Sequence, residues 1–137
     1  MLELAGLNYW AIAVAWLITA AIGAFWYSPI GFGKQWMQRT GVNIFDMPDN
    51  EATRVLGSVI VAALVQAVGL AIVINTFDTT TIGEGLIAGA VLWAGLTGAT
   101  TVGNTLYSRR GWGFWWINNS YYLLVTAANS ILLATWR

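Results

Sequence analysis

Cysteine and histidine are both absent from the 137 residues. Their absence excludes disulfides, a thiol nucleophile, zinc sites of the usual kind, histidine-ligated haem and an imidazole general base. Charge is nearly as scarce: six basic and six acidic side chains, 9% of the chain, cancel to zero. Such a chain offers no basic patch for nucleic acid. Ordinary soluble domains are ~25% charged and cover their surfaces with those groups. This chain is 58% hydrophobic, more than one small core can hide. It needs an apolar solvent, and membrane lipid is the expected partner. No cofactor, metal or catalytic group is expected from this residue set.

Four apolar runs are present, at about residues 4–27, 55–74, 86–106 and 114–136. Each is long enough to cross ~30 Å of hydrocarbon as a helix rising ~1.5 Å per residue. The runs are continuous rather than alternating, which favours helices over the strands of a membrane barrel. The expected fold is all-α and integral to the membrane: one domain over residues 1–137 with four transmembrane helices. The first run is preceded by Glu3 rather than a basic residue and is too long for a secretory signal, so it reads as a retained helix. Lys34, Arg39 and Arg54 follow the first run, and Arg109 and Arg110 separate the third from the fourth. The positive-inside rule puts both segments in the cytoplasm and both termini outside.

The first basic segment is patterned. Tyr27-Ser28-Pro29 should end a helix, because Pro29 has no N–H to continue it. In Gly31–Thr40, Phe32, Trp36 and Met37 share one face, and Lys34, Gln35, Gln38 and Arg39 share another. That pattern predicts a short interfacial helix ending at Gly41, with Phe32 and Trp36 resting on the bilayer and Lys34 towards the cytoplasm. Asp46 is expected to cap the next helix, with Pro48 in its first turn. Gly33-Lys34 is not a phosphate loop: Gln35 follows it, and Ser28 stands where the first glycine is required.

Residues 27–36, YSPIGFGKQW, are echoed 80 positions later by residues 107–116, YSRRGWGFWW. Tyr27, Ser28, Gly31, Gly33 and Trp36 match Tyr107, Ser108, Gly111, Gly113 and Trp116, and Phe32 faces another aromatic, Trp112. The echo suggests two helical hairpins in a parallel pseudo-two-fold repeat. Trp26, Trp36, Trp112, Trp115 and Trp116 gather at the expected cytoplasmic interface, while Trp16 and Trp93 fall mid-run and are read as helix packing.

The third run is rich in glycine, and Gly85-x-x-x-Gly89 is a spacing that lets membrane helices approach closely. Glu84 suits the positive end of a helix starting there. Thr97, Thr101 and Asn104 on the third run, and Asn118, Asn119, Tyr122 and Asn129 on the fourth, form a polar seam at three- and four-residue spacing. Such groups must face protein or water within hydrocarbon. They either bond one another across a dry contact or line a small cavity open to the cytoplasm.

NYWAIAVAWLITAAIGAFWYSPIGFGKQWM (Asn8–Met37) resembles the opening of an uncharacterised bacterial multi-pass membrane family, domain of unknown function 1761. Trp26, Tyr27, Ser28, Pro29, Phe32, Gly33, Lys34 and Trp36 carry the resemblance, and WINNSYYLL (Trp116–Leu124) is similar to the family's final-span pattern. Relatives often have a histidine near that last motif, and this chain has none. The resemblance implies a multi-pass protein of the bacterial inner membrane and no established activity. The expected function is non-enzymatic: helix packing as a homo-oligomer, or as an accessory or scaffold subunit of a larger membrane complex. The alternative is a small transporter or channel for a small solute or ion, with a polar path between the third and fourth runs.

Overall fold

Asn8 starts the first helix by accepting N–H bonds from Trp10 and Ala11 at 3.0 and 3.1 Å. In the computed structural model, which describes residues 1–137, that helix is α1 (Tyr9–Trp26). It begins later than the apolar run, because Gly6 turns the chain with φ 78° and the Asn8 cap takes the helix start. Residues 3–5 instead lie against the end of the next long helix, where Asn75 Nδ2 donates to the Glu3 and Ala5 carbonyls at 3.1 Å.

A short helix, α2 (Gly33–Thr40), follows and stops at Gly41 in the left-handed conformation, φ 70°. Asp46 does not cap the next helix. It lies in a single 3₁₀ turn, Ile44–Asp46, and accepts from Asn43 Nδ2 at 2.8 Å. Pro48 takes the cap position of α3 (Asp49–Thr76), whose first turn holds Asp49 and Glu51 at the positive end of the helix. α4 (Ile82–Leu92) opens with a reciprocal cap: Thr81 Oγ1 accepts from Glu84 N–H, and Glu84 returns a carboxylate bond to Thr81 N–H. The helix then widens into a π-helical turn, Trp93–Gly98, before continuing as α5 (Ala99–Tyr107). α5 ends in a reversal, with Arg109 and Arg110 N–H bonded to the Leu106 and Thr105 carbonyls and Arg109 at φ 59°. The last helix is α6 (Gly111–Thr135).

The chain is all-helical, and three stretches are long and apolar enough to cross a membrane: Tyr9–Trp26, Asp49–Thr76 and Ile82–Tyr107, with mean hydropathies of 1.7, 2.5 and 1.5. α6 is long enough, but its Asn, Ser and Tyr residues make it less apolar. It is also the axle of the fold, packing against α1, α2, α3, α4 and α5. Small residues let the backbones close up. A Cβ at Gly85 would strike Ser130 O and Ile131 Cα, and one at Gly89 would strike Ser130 Oγ and Thr126 O. The Gly-x-x-x-Gly surface is therefore used inside the chain, against α6. Ala11 and Ala15 of α1, Ala67 and Ala71 of α3 and Ala134 of α6 meet Ile12, Leu70, Ile74 and Leu133 in one apolar core.

This core lies towards the end of the bundle that holds both chain termini. Asn8 Nδ2 donates to Trp136 O at 3.3 Å, and Arg137 bridges to Asp78 at 2.6 Å. Towards the opposite end α3 leaves the bundle, and Val55, Leu56, Val59, Ile60 and Val61 are all exposed. One tie remains there, from Trp16 Nε1 to Ile60 O at 3.0 Å.

Candidate functional site

The signature stretch Trp26–Trp36 is a capping device for α1. Phe32 and Gly33 N–H turn back onto the Trp26 and Ser28 carbonyls at 2.6 and 3.0 Å, and Ser28 Oγ donates to Phe25 O at 2.6 Å. These bonds satisfy carbonyls that a helix end leaves free. Both glycines are required by contact: a Cβ at Gly31 would enter the Phe25 and Trp26 carbonyls, and one at Gly33 the Tyr27 and Ser28 carbonyls. The Phe32 ring packs on Trp26 at 4.7 Å and Trp36 stands edge-on to Tyr27 at 6.2 Å. Each ring is held by an aromatic at the end of α1. Lys34 is exposed.

The same stretch is fastened to α6. Trp26 Nε1 donates to Ile117 O at 2.9 Å, and the Tyr27 hydroxyl donates to Asn118 Oδ1 at 2.7 Å. Gly113, in the second copy of the motif, leaves room for the Arg39 guanidinium from α2. The two copies do not close alike. Ser28 and Ser108 each bond the carbonyl three residues back, but Tyr27 is half-buried whereas Tyr107 is 93% exposed. Gly111 takes φ 78° and leads directly into α6, whereas Gly31 has no positive φ.

Two tryptophans brace the π turn. Trp93 Nε1 donates to Asn119 O at 2.9 Å, and Trp115 Nε1 donates to Gly98 O at 3.2 Å. Their rings lie 6.4 Å apart. The two indoles thus cross-link the turn and α6 in both directions, using the polar N–H that a buried tryptophan must satisfy. π turns are frequent at functional sites.

Beside this brace is a cavity of about 360 Å³. Its walls include Thr101, Asn104, Asn118, Asn119 and Tyr122, five residues of the polar seam. Thr105, Ser108, Arg110 and Phe114 complete it. Asn119 is fixed by Thr101 Oγ1 on its Oδ1 at 3.1 Å and by its own Nδ2 on Trp115 O at 3.0 Å. The Arg110 guanidinium lies 5.0 Å from the Phe114 ring centre, a cation–π contact that holds it at the wall. The volume is enough for several waters or one small organic molecule.

Thr97 and Asn129 are not part of the cavity wall. Thr97 contributes its carbonyl, which accepts from Thr101 Oγ1 at 2.8 Å. Asn129 is 1% exposed and donates to Thr19 Oγ1 at 2.9 Å, while its Oδ1 and the neighbouring Ser130 Oγ have no partner. The seam therefore splits into a hollow part near α5 and a tightly packed part near the core. Sequence reasoning passed over Thr105, Arg110 and Phe114. Thr105 is four residues from Thr101, and Phe114, Asn118 and Tyr122 form one stripe at four-residue spacing, so periodicity could have found two of the three.

Residues 10–134 match the family described as "Protein of unknown function (DUF1761)". The chain belongs to that family. The match takes in α1, α3, the π turn and nearly all of α6, so it includes every cavity residue. No curated protein matches the chain. No solved structure matches it either.

Proposed function

We propose that this family member is a four-span inner-membrane protein that takes a small polar solute into the cavity between α5 and α6. One observation carries the reading: Asn104, Asn118 and Tyr122 reach a shared hollow beside the Thr101–Asn119 pair, so this part of the seam is not sealed throughout. Asn104, Ser108 and Arg110 are exposed while Thr105 and Asn119 are buried, so the hollow opens outward and leaves the partners of its polar groups to water or a solute. The expected dry contact joins α5 to α6 at Thr101 and Asn119 and, farther along α6, ties Asn129 to Thr19 of α1.

Four spans rather than three are supported by α6, which is long enough to cross and packs along α4 and α1. An even number of crossings agrees with Asn8 meeting Trp136 at one end. The positive-inside rule then puts Lys34, Arg39, Arg54, Arg109 and Arg110, and the cavity beside Arg110, on the cytoplasmic side. The two hairpins are a parallel repeat in which the first copy of the motif caps a helix and the second launches one.

The absence of native cysteine makes the test direct. Asn104→Cys places a thiol on the exposed part of the cavity wall, and Thr126→Cys places one in the packed part of α6. In membranes, a small charged thiol reagent applied from the cytoplasmic side should modify the first and spare the second. Equal protection of both thiols would mean a dry seam and would end the solute reading.

A second reading, action as a homo-oligomer or scaffold subunit, is favoured by the exposed half of α3. Val55, Leu56, Val59, Ile60 and Val61 form a largely exposed apolar helix surface, met within the chain by Trp16 at Ile60. Gly85 and Gly89 do not support it, since their close contacts are with α6.

A further inference from the structure

We propose that the solute is a small organic anion, a carboxylate, held by Arg110; this rests on the solute-binding reading above. Among the nine cavity residues Arg110 is the only one that carries charge, and none is acidic. The chain's one salt bridge is Arg137–Asp78, at the far end of the bundle, so Arg110 has no carboxylate of its own. The other acids are equally distant in role. Glu84 is taken up by the Thr80 and Thr81 N–H groups at the start of α4, Asp46 accepts from Asn43, and Asp49 and Glu51 sit in the first turn of α3.

Arg110 is exposed at the edge of the hollow, and the planar fork of its guanidinium matches a carboxylate with two parallel charge-assisted bonds. Stacking on Phe114 holds Arg110 in position before the solute arrives. The remaining walls suit the rest of such a molecule. Asn104 and Tyr122 make no side-chain hydrogen bond within the chain, leaving amide and phenol groups to meet hydroxyl or carbonyl oxygens. Phe114 supplies one apolar wall. The site selects by charge and by size: a cation meets Arg110 with no compensating acid, and a neutral molecule forgoes the guanidinium.

The test uses the full chain in lipid nanodiscs and titrates acetate, lactate, inorganic phosphate, neutral acetamide and methylammonium by calorimetry. Acetate or lactate should bind saturably, acetamide and methylammonium at least roughly tenfold more weakly. Arg110→Gln should weaken carboxylate binding by a similar factor, and Arg110→Lys should retain part of it because the charge remains without the fork. Arg109→Gln, next in sequence but outside the cavity wall, should bind as the parent does. Acetamide binding as tightly as acetate, or carboxylate binding indifferent to Arg110→Gln in a protein of unchanged helicity, would overturn the anion assignment and leave the pocket. Preference for phosphate over both carboxylates would overturn the carboxylate. If no probe binds, the anion assignment fails, and if Asn104→Cys is also protected the pocket fails with it.

Discussion

The Tyr27 hydroxyl and Asn118 Oδ1, 91 positions apart in the chain, are joined by a 2.7 Å hydrogen bond. Tyr27 belongs to the opening signature and Asn118 to the motif of the last helix, and Asn118 is also a wall of the cavity. The bond ties the capped end of α1 to the hollow part of α6. Tyr27→Phe removes the donor while keeping the ring against Trp36 and Tyr121. The expected loss is about 1 kcal/mol of stability, read as a lower thermal midpoint in detergent. An unchanged midpoint would show that the ring contacts alone hold the two motifs together.

Glycine substitutions should separate sharply by site. At Gly33 a Cβ enters the Tyr27 and Ser28 carbonyls, whereas at Gly57 nothing lies within 4 Å. Gly33→Ala is expected to cost about 1–3 kcal/mol through forced backbone movement. Gly57→Ala, on an open helix face, should be neutral or stabilise by up to about 1 kcal/mol. Parallel unfolding curves of the two variants decide it, and equal midpoints would contradict the close approach at Gly33.

The Gly85 and Gly89 surface makes a different prediction. Gly89→Leu drives a side chain into Ser130 and Thr126. It should unfold the α4–α6 contact, so that size-exclusion profiles broaden and midpoints fall even at high dilution in detergent. A variant that folds normally and changes only its association state would place those glycines between chains instead.

The π turn absorbs one extra residue over nearly the same rotation as an α turn, so α5 keeps its phase relative to α4. Deleting Gly95, which faces open space, should close the turn to regular helix and leave Thr101, Asn104 and Thr105 facing α6. Circular dichroism should change little, and the thiol of Asn104→Cys in the deleted background should keep its reactivity. Lost reactivity would mean the hollow depends on the extra residue.

The helices were legible because long uncharged runs have one answer in a bilayer. Their starts were not, because single side chains decide them: Asn8 moves the first helix to Tyr9, and the Thr81–Glu84 pair begins the fourth at Ile82. The α2 helix and its stop at Gly41 follow from amphipathic spacing and one left-handed residue. The seam was visible as spacing, but spacing does not report whether two polar stripes touch. The extra residue in the π turn, braced by Trp93 and Trp115, has no compositional mark either. The Tyr27–Asn118 bond spans most of the chain and no local pattern announces it. Gly85-x-x-x-Gly89 signalled a close approach correctly in kind, while its partner, α6, emerged only from the fold.

α6 falls outside the set of stretches apolar enough to cross alone, yet every other helix leans on it. Its synthesis follows that of α1, α3 and α4, so the surfaces that bury Asn119, Thr126, Asn129 and Ser130 already exist when it emerges from the ribosome. Released by itself into lipid, α6 would have to desolvate those groups unaided. On the four-span reading, partition into the bilayer and docking in the bundle become a single event for this segment, and damage to the Gly85–Gly89 groove would surface first as a helix left in the aqueous phase for proteases to find.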